Sequence, residues 1–200
     1  MENDKRAELE LPQLILASGS PRRSEILNSV VWGFRKIVPD VDESEREGED
    51  PAVYVKRLAE TKSATVAAIE GNSIVLGADT TVVVDGAIVG KPKDQRDAAR
   101  MISSLSGRWH DVLTGVALSK GNKMLAEVQR TRVKFRRMSS EEIDFLVKFG
   151  DPLDKAGAYA VQAQAALFIE RIEGDYWNVV GLPVSLVYEI YTDLCRDESS

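Results

Sequence analysis

Two arginines stand where an apolar run hands over to a helix-like stretch. In LASGSPRRSEIL, residues 16–27, the run Leu14–Ala17 stops at Ser-Gly-Ser-Pro, and Arg22 and Arg23 follow at once. A helix N-terminus exposes unbonded N–H groups and carries partial positive charge. Ser18 and Ser20 add hydroxyls, Gly19 lets the backbone come close, and two guanidinium forks suit phosphate oxygens. Such a turn can hold a phosphate. The plainer reading is a pair of surface arginines at the unfavourable end of a helix. It is not a Walker loop, because no G-x-x-x-x-G-K-[ST] occurs in the chain.

Carboxylates and lysines supply the rest of a possible chemistry. Asp79 follows the apolar run Ser73–Gly77, where open α/β sheets place their ligands, and Thr80 adds a hydroxyl beside it. A turn-capping Asp reads equally well. Glu43 lies in DVDESEREGED, Asp40 to Asp50, which holds seven acidic residues and one basic. Most of that run reads as solvated loop. Lys62 and Lys91 are further candidates, against the ordinary reading of lone lysines as surface. In DKAGAYAVQAQ, residues 154–164, Lys155 and Gln162 stand among small residues that leave room for a flat ring; a packed turn and strand is the plainer account. His110 is the only histidine, and with no His or Cys neighbour it cannot complete a zinc site. It reads as a structural or supporting group.

The elements that must position these residues follow from apolar spacing and turn residues. Leu14–Ala17 reads as a buried strand and Phe34–Val38 as another. Pro21 suits the first turn of a helix running from about Arg22 to Val30. A long helix from about Pro51 to Ile69 carries Val55, Leu58, Ala59 and Lys62 at helical spacing. Ser73–Gly77 is a strand, and Asp85-Gly86 joins Thr81–Val84 to Ala87–Val89 in a hairpin. Asp94–Leu105 is a helix ending before Gly107. Trp109–Ser119 and Met124–Phe135 are long strands. Ser139 and Glu142 form a capping box for a helix ending near Gly150. Ala166–Glu173 and Tyr176–Val180 read as two more strands, and Pro183 opens a last helix. The alternation gives an α/β architecture with a mixed sheet.

Composition bounds the function. The 200 residues suit one domain, 44% are apolar and 29% charged, which favours a folded core over disorder. Net charge of −6 argues against a general nucleic-acid binder. The aromatic residues are scattered, unlike a base-stacking platform. One cysteine, Cys195, excludes an intrachain disulfide framework. No apolar run nears the roughly 18 residues of a membrane span, and the acidic start lacks a signal-peptide core. A cytoplasmic protein is expected, with residues 1–12 a flexible leader, 13–195 a single domain and 196–200 a tail.

In this order and spacing the pieces resemble the Maf-like family of nucleoside triphosphate pyrophosphatases. The resemblance runs from about Leu14 to Leu194. It rests on LASGSPRRSEIL, the Asp42-Glu43 pair, RLAETKSA, VLGADTTV, the GKP around Lys91, LSGRWHDVLTGV, PLDKAGAYAVQ and GDYWNVVGLPVS. It implies a mixed twisted sheet with helices packed on it, Maf/ITPase-like, with a cleft between two lobes. It implies hydrolysis of a nucleoside triphosphate to the monophosphate and pyrophosphate with Mg²⁺ or Mn²⁺. Asp79 matches the position of the proton acceptor, and Glu43, Lys62 and Lys91 match other catalytic positions. Glu43 and Asp79 would hold the metal. Ser18, Arg22, Arg23, Thr80 and Gln162, with Ser20 beside them, would bind substrate. Arg22, Thr80 and Gln162 resemble the type acting on dTTP and UTP; relatives acting on 7-methyl-GTP usually carry an aromatic residue at the first position. Where the family usually reads AYGIQG, this chain has Ala160 and Ala163 in place of two glycines, which bears on base preference. A homodimer is implied as well. The rival expectation is a nucleotide-binding regulator of cell division without turnover; a phosphatase releasing orthophosphate is a third.

Overall fold

The computed structural model describes residues 11–196. The expected leader and tail therefore lie largely outside the described residues. Of the former, Leu11 packs against the core and the Pro12 carbonyl accepts from the Trp32 indole at 2.9 Å.

One seven-stranded sheet runs through the protein. Its strands are β1 (Leu14–Ala17), β2 (Phe34–Lys36), β3 (Ile74–Val84), β4 (Ala87–Val89), β5 (Trp109–Lys120), β6 (Lys123–Phe135) and β7 (Ile169–Glu173). The order is β2-β1-β3-β5-β6-β7, with β4 paired to β3. The β2, β1 and β3 pairings are parallel, and the rest are antiparallel, so the sheet is mixed as expected. The helices are α1 (Pro21–Ser29), α2 (Pro51–Glu70), α3 (Gln95–Leu105), α4 (Ser140–Phe149), α5 (Tyr176–Val180) and α6 (Val184–Arg196).

Strand alternation assigns the two faces. Leu14, Leu16, Leu76 and Val116 join the main core with Ile26 and Leu27 of α1, Ile102 and Leu105 of α3, and Val187 and Ile190 of α6. Ile15, Ala17 and Val75 pack on Val66 of α2, and Val83 and Leu113 on its Val55. Helix α2 thus covers one face, and α1, α3 and α6 the other.

Two expectations need correction. Ser73–Gly77 and Thr81–Val84 are not separate strands. β3 is continuous across them, because β5 pairs with every residue from Val75 to Val83. Asp79 is therefore mid-strand. Nor is Tyr176–Val180 a strand. The Asp175 carboxylate accepts from the Asn178 N–H at 3.0 Å and caps a short helix. Buried Asn178 then donates to the Val112 carbonyl and Thr131 Oγ1, both at 3.0 Å, tying that helix to β5 and β6. Apolar content suggested a strand, but the cap decides. The capping box at Ser139 and Glu142 forms as read.

Candidate active site

A notch in the sheet creates the site. On one edge of β3, β1 pairs as far as Gly77, and β4 begins at Val82. Residues 78–81 have no strand partner there. A cleft of about 380 Å³ opens beside this gap.

Helix α2 reaches the gap because two glycines clear its path. A Cβ on Gly77 would lie 2.2 Å from the Ala59 carbonyl, and one on Gly115 would lie 2.2 Å from that of Val55. Gly115 is the cross-strand neighbour of Asp79. With no side chain between, the α2 backbone lies on the sheet and Lys62 meets the Asp79 side chain. Lys62 Nζ donates to Asp79 Oδ1 at 2.7 Å and sits 2.6 Å from Glu43 Oε1. Lys62 is 7% exposed and Asp79 is 9%. Most of the acidic loop is exposed, as read, but Glu43 closes on this ammonium and Glu49 on Arg57, Oε1 to Nε at 2.6 Å. Burial pulls the Glu43 pKa up, but the hydrogen bond and charge of Lys62, with Lys91 and Arg23, outweigh it and leave it below the usual range.

Arg23 is mostly committed to the protein. Nε donates to the Gly181 carbonyl at 2.9 Å, Nη1 to Ser18 Oγ and the Ala78 carbonyl at 2.8 Å each, and Nη2 to Thr80 Oγ1 at 3.1 Å. Four of its five N–H donors are thereby used. The Ala78 carbonyl is one that the gap in the sheet leaves open. Burial lowers the Arg23 pKa, though a guanidinium stays charged. The reading of two forks both facing an anion is thus corrected: the second arginine spans the turn after β1, strand β3 and the Gly181 turn, and keeps one N–H for a ligand. Arg22 is held by Asp154, Nη1 to Oδ2 at 2.9 Å.

Asp79 and Thr80 do not sit side by side. Adjacent strand residues face opposite sides of a sheet. Asp79 meets α2, while Thr80 Oγ1 bonds Thr114 Oγ1 at 3.0 Å and the Gly181 carbonyl at 3.3 Å. Both still line the cleft, which lies at the open edge. Ser18, Ser20, Lys91 and Gln162 also line it, Lys91 and Gln162 as exposed side chains. Ser18 Oγ accepts from the Ser20 N–H at 3.2 Å, and the Ser20 side chain leaves the start of α1 uncapped. The ten residues expected to carry catalysis or bind substrate therefore line one cavity, whereas His110 does not. Sequence reasoning missed Thr114 and Gly181, and it passed over Asp154. The first is a plain strand residue, and the second works through its carbonyl, so neither carried a signal.

Neither Ala160 nor Ala163 needs glycine's freedom. Ala163 has φ of −118° and Ala160 is not among the residues with positive φ; the strained position is Ala158, at φ 63°. His110 is buried, with Nε2 2.7 Å from the Tyr159 hydroxyl. Burial pushes its pKa down to about 4, so the ring is neutral near pH 7.

The sequence pattern of the family described as Maf-like protein matches residues 13–194. The chain belongs to the Maf-like family. A relative from Symbiobacterium thermophilum, named dTTP/UTP pyrophosphatase, is 49% identical over 91% of this chain and 94% of its own. A Koribacter versatilis relative of the same name is 49% identical over 88% of this chain and 92% of its own. Among solved structures, a HAM1 protein from Coxiella burnetii aligns at TM-score 0.46 and 16% identity, over 64% of this chain and 75% of that one. For this Maf-like chain the Arg23 strut, the Lys62 bridge and the glycine contacts are what build the cleft.

Proposed function

We propose that the protein hydrolyses dTTP and UTP to the monophosphate and pyrophosphate. The observation that carries this is the Lys62 ammonium gripped by Asp79 and Glu43 in a cleft that also presents Arg22, Lys91 and Gln162. The names of the relatives supply the substrates. Lys62 and Lys91, with the remaining N–H of Arg23, offset the charge of a triphosphate. Gln162, with two acceptor sites and two donors, suits the carbonyl and N–H edge of a thymine or uracil ring. Lys62 aims the Asp79 carboxylate through their 2.7 Å bond. Asp79 takes a proton from a water, the water oxygen bonds to the α phosphorus, and the bond to the bridging oxygen breaks. Pyrophosphate leaves with that electron pair. Positioning and charge stabilisation do most of the work in such transfers.

The donor set fits a divalent metal shared with substrate. No group of three or more His, Cys, Asp or Glu suited to a metal occurs among the described residues, but Glu43 and Asp79 come together around Lys62, each engaging it through one carboxylate oxygen and having a second to offer. Mg²⁺ is commonly held by one or two carboxylates plus substrate phosphates. Mg²⁺ or Mn²⁺ held there would neutralise charge on the phosphates. Cytoplasmic location and a homodimer complete the proposal; the second rests on family likeness, and sedimentation tests it. Among the described residues no helix is long and apolar enough to cross a membrane.

Product identification tests the reaction. The protein is incubated with dTTP, UTP, CTP, GTP and 7-methyl-GTP, with and without Mn²⁺. Metal-dependent monophosphate and pyrophosphate from dTTP and UTP is the expected result. Pyrophosphate from another nucleotide would discard the base assignment. Orthophosphate would indicate a phosphatase, and binding without turnover a regulator.

A further inference from the structure

Arg22 does not hang free in the cleft. Its Nη1 donates to Asp154 Oδ2 at 2.9 Å and its Nη2 to the Asp154 carbonyl at 3.3 Å. The other carboxylate oxygen, Oδ1, accepts from Lys155 Nζ at 2.6 Å. Lys155 also donates to the Asp151 carbonyl. With both oxygens engaged, the Asp154 carboxylate is fixed in rotation. Burial raises its pKa, but the bonds from Lys155 and Arg22 outweigh that and hold it below the usual range, so it is an anion near pH 7.

Both ends of this bridge are anchored. On one side Arg22 leaves α1 next to Arg23, which is bonded to β3 and Gly181. On the other, Pro152 is buried and the Gly157 N–H donates to the Gly90 carbonyl at 3.1 Å. Arg22 and Asp154 thus form a bar between α1 and the segment that lines the cleft with Tyr159, Ala160 and Gln162. An acidic side chain in a cleft for a polyanion costs affinity through repulsion. Holding an arginine in one pose is a compensating use for it.

We propose that Asp154 is a specificity-determining positioning residue. It fixes Arg22 as a crossbar at the base end of the cleft, which admits one ring and excludes two. This rests on the nucleotide reading above. Titration with dTTP and GTP analogues whose α–β bridging oxygen is replaced by methylene separates binding from turnover. Wild type should favour the dTTP analogue. In Asp154→Ala the preference should fall about tenfold, the scale of one pocket contact, with the GTP analogue gaining. Asp154→Asn should lie between, and it serves if the alanine variant folds poorly. Arg22→Gln should lower the preference as far as Asp154→Ala, and the double variant no further. A merely structural Asp154 would weaken both analogues alike. An unchanged preference in Asp154→Ala, or effects that multiply in the double variant, overturns the proposal while leaving the pyrophosphatase reading intact. Wild-type protein that binds neither analogue overturns both.

Discussion

At the scale of single residues, the decisive arrangement is Lys62 between Asp79 and Glu43. A lysine so placed holds two carboxylates within reach of each other. Asp79→Asn keeps the shape and removes the group proposed as base. Its kcat should fall by about 10²–10⁴-fold, with nucleotide affinity measured by titration within a few fold of wild type. Unchanged kcat with weakened binding would remove Asp79 as the base. His110 gives a second prediction. The ring titrates near 4 in the folded protein against an ordinary 6.5. Between those values the unfolded chain binds a proton that the folded protein refuses, so stability falls as pH drops from 6.5 toward 4. The single ring contributes roughly 3 kcal/mol to that loss. His110→Gln should lose correspondingly less stability over the same window in denaturant unfolding; an identical slope would show the ring is not neutral when folded. Much at this scale was legible. Arg22, Asp79 and Gln162 stood out because polar groups interrupted apolar or small-residue stretches. The strut role of Arg23 did not, because nothing in Pro-Arg-Arg says which arginine turns inward.

At the scale of elements, the site depends on how closely α2 lies on the sheet. Gly77 and Gly115 set that distance. Gly115→Ala would drive a methyl into the Val55 carbonyl, lift α2 and part Lys62 from Asp79. Overpacking of this kind costs about 1–3 kcal/mol, and turnover should fall more than stability alone explains, since a small misplacement of reacting groups is expensive. A variant with wild-type melting temperature and full activity would contradict the close-contact account. These glycines were invisible as such in sequence. Glycine inside a strand pattern signals close approach, but only the register that places Gly115 beside Asp79 says what approaches. The same limit explains Tyr176–Val180, where apolar residues read as a strand and the Asp175 cap made a helix.

At the scale of the whole molecule, a mixed sheet with a partner missing along four residues of β3 gives a cleft open to both sheet faces. Alternation places Asp79 with α2 and Thr80 with Thr114 and Gly181, so the cleft draws groups from opposite sides of one strand. The order of strands and helices announced the mixed sheet, as did the Asp85-Gly86 hairpin. The gap was not legible, because it arises from where β1 and β4 stop along a strand that sequence split in two. The claim that follows is attack of water at the α phosphorus in this gap. The most direct test is hydrolysis of dTTP in ¹⁸O-labelled water with mass analysis of products. Label in the monophosphate, with unlabelled pyrophosphate, is the result the account predicts. Label in pyrophosphate or in orthophosphate would place the attack at another phosphorus and contradict it.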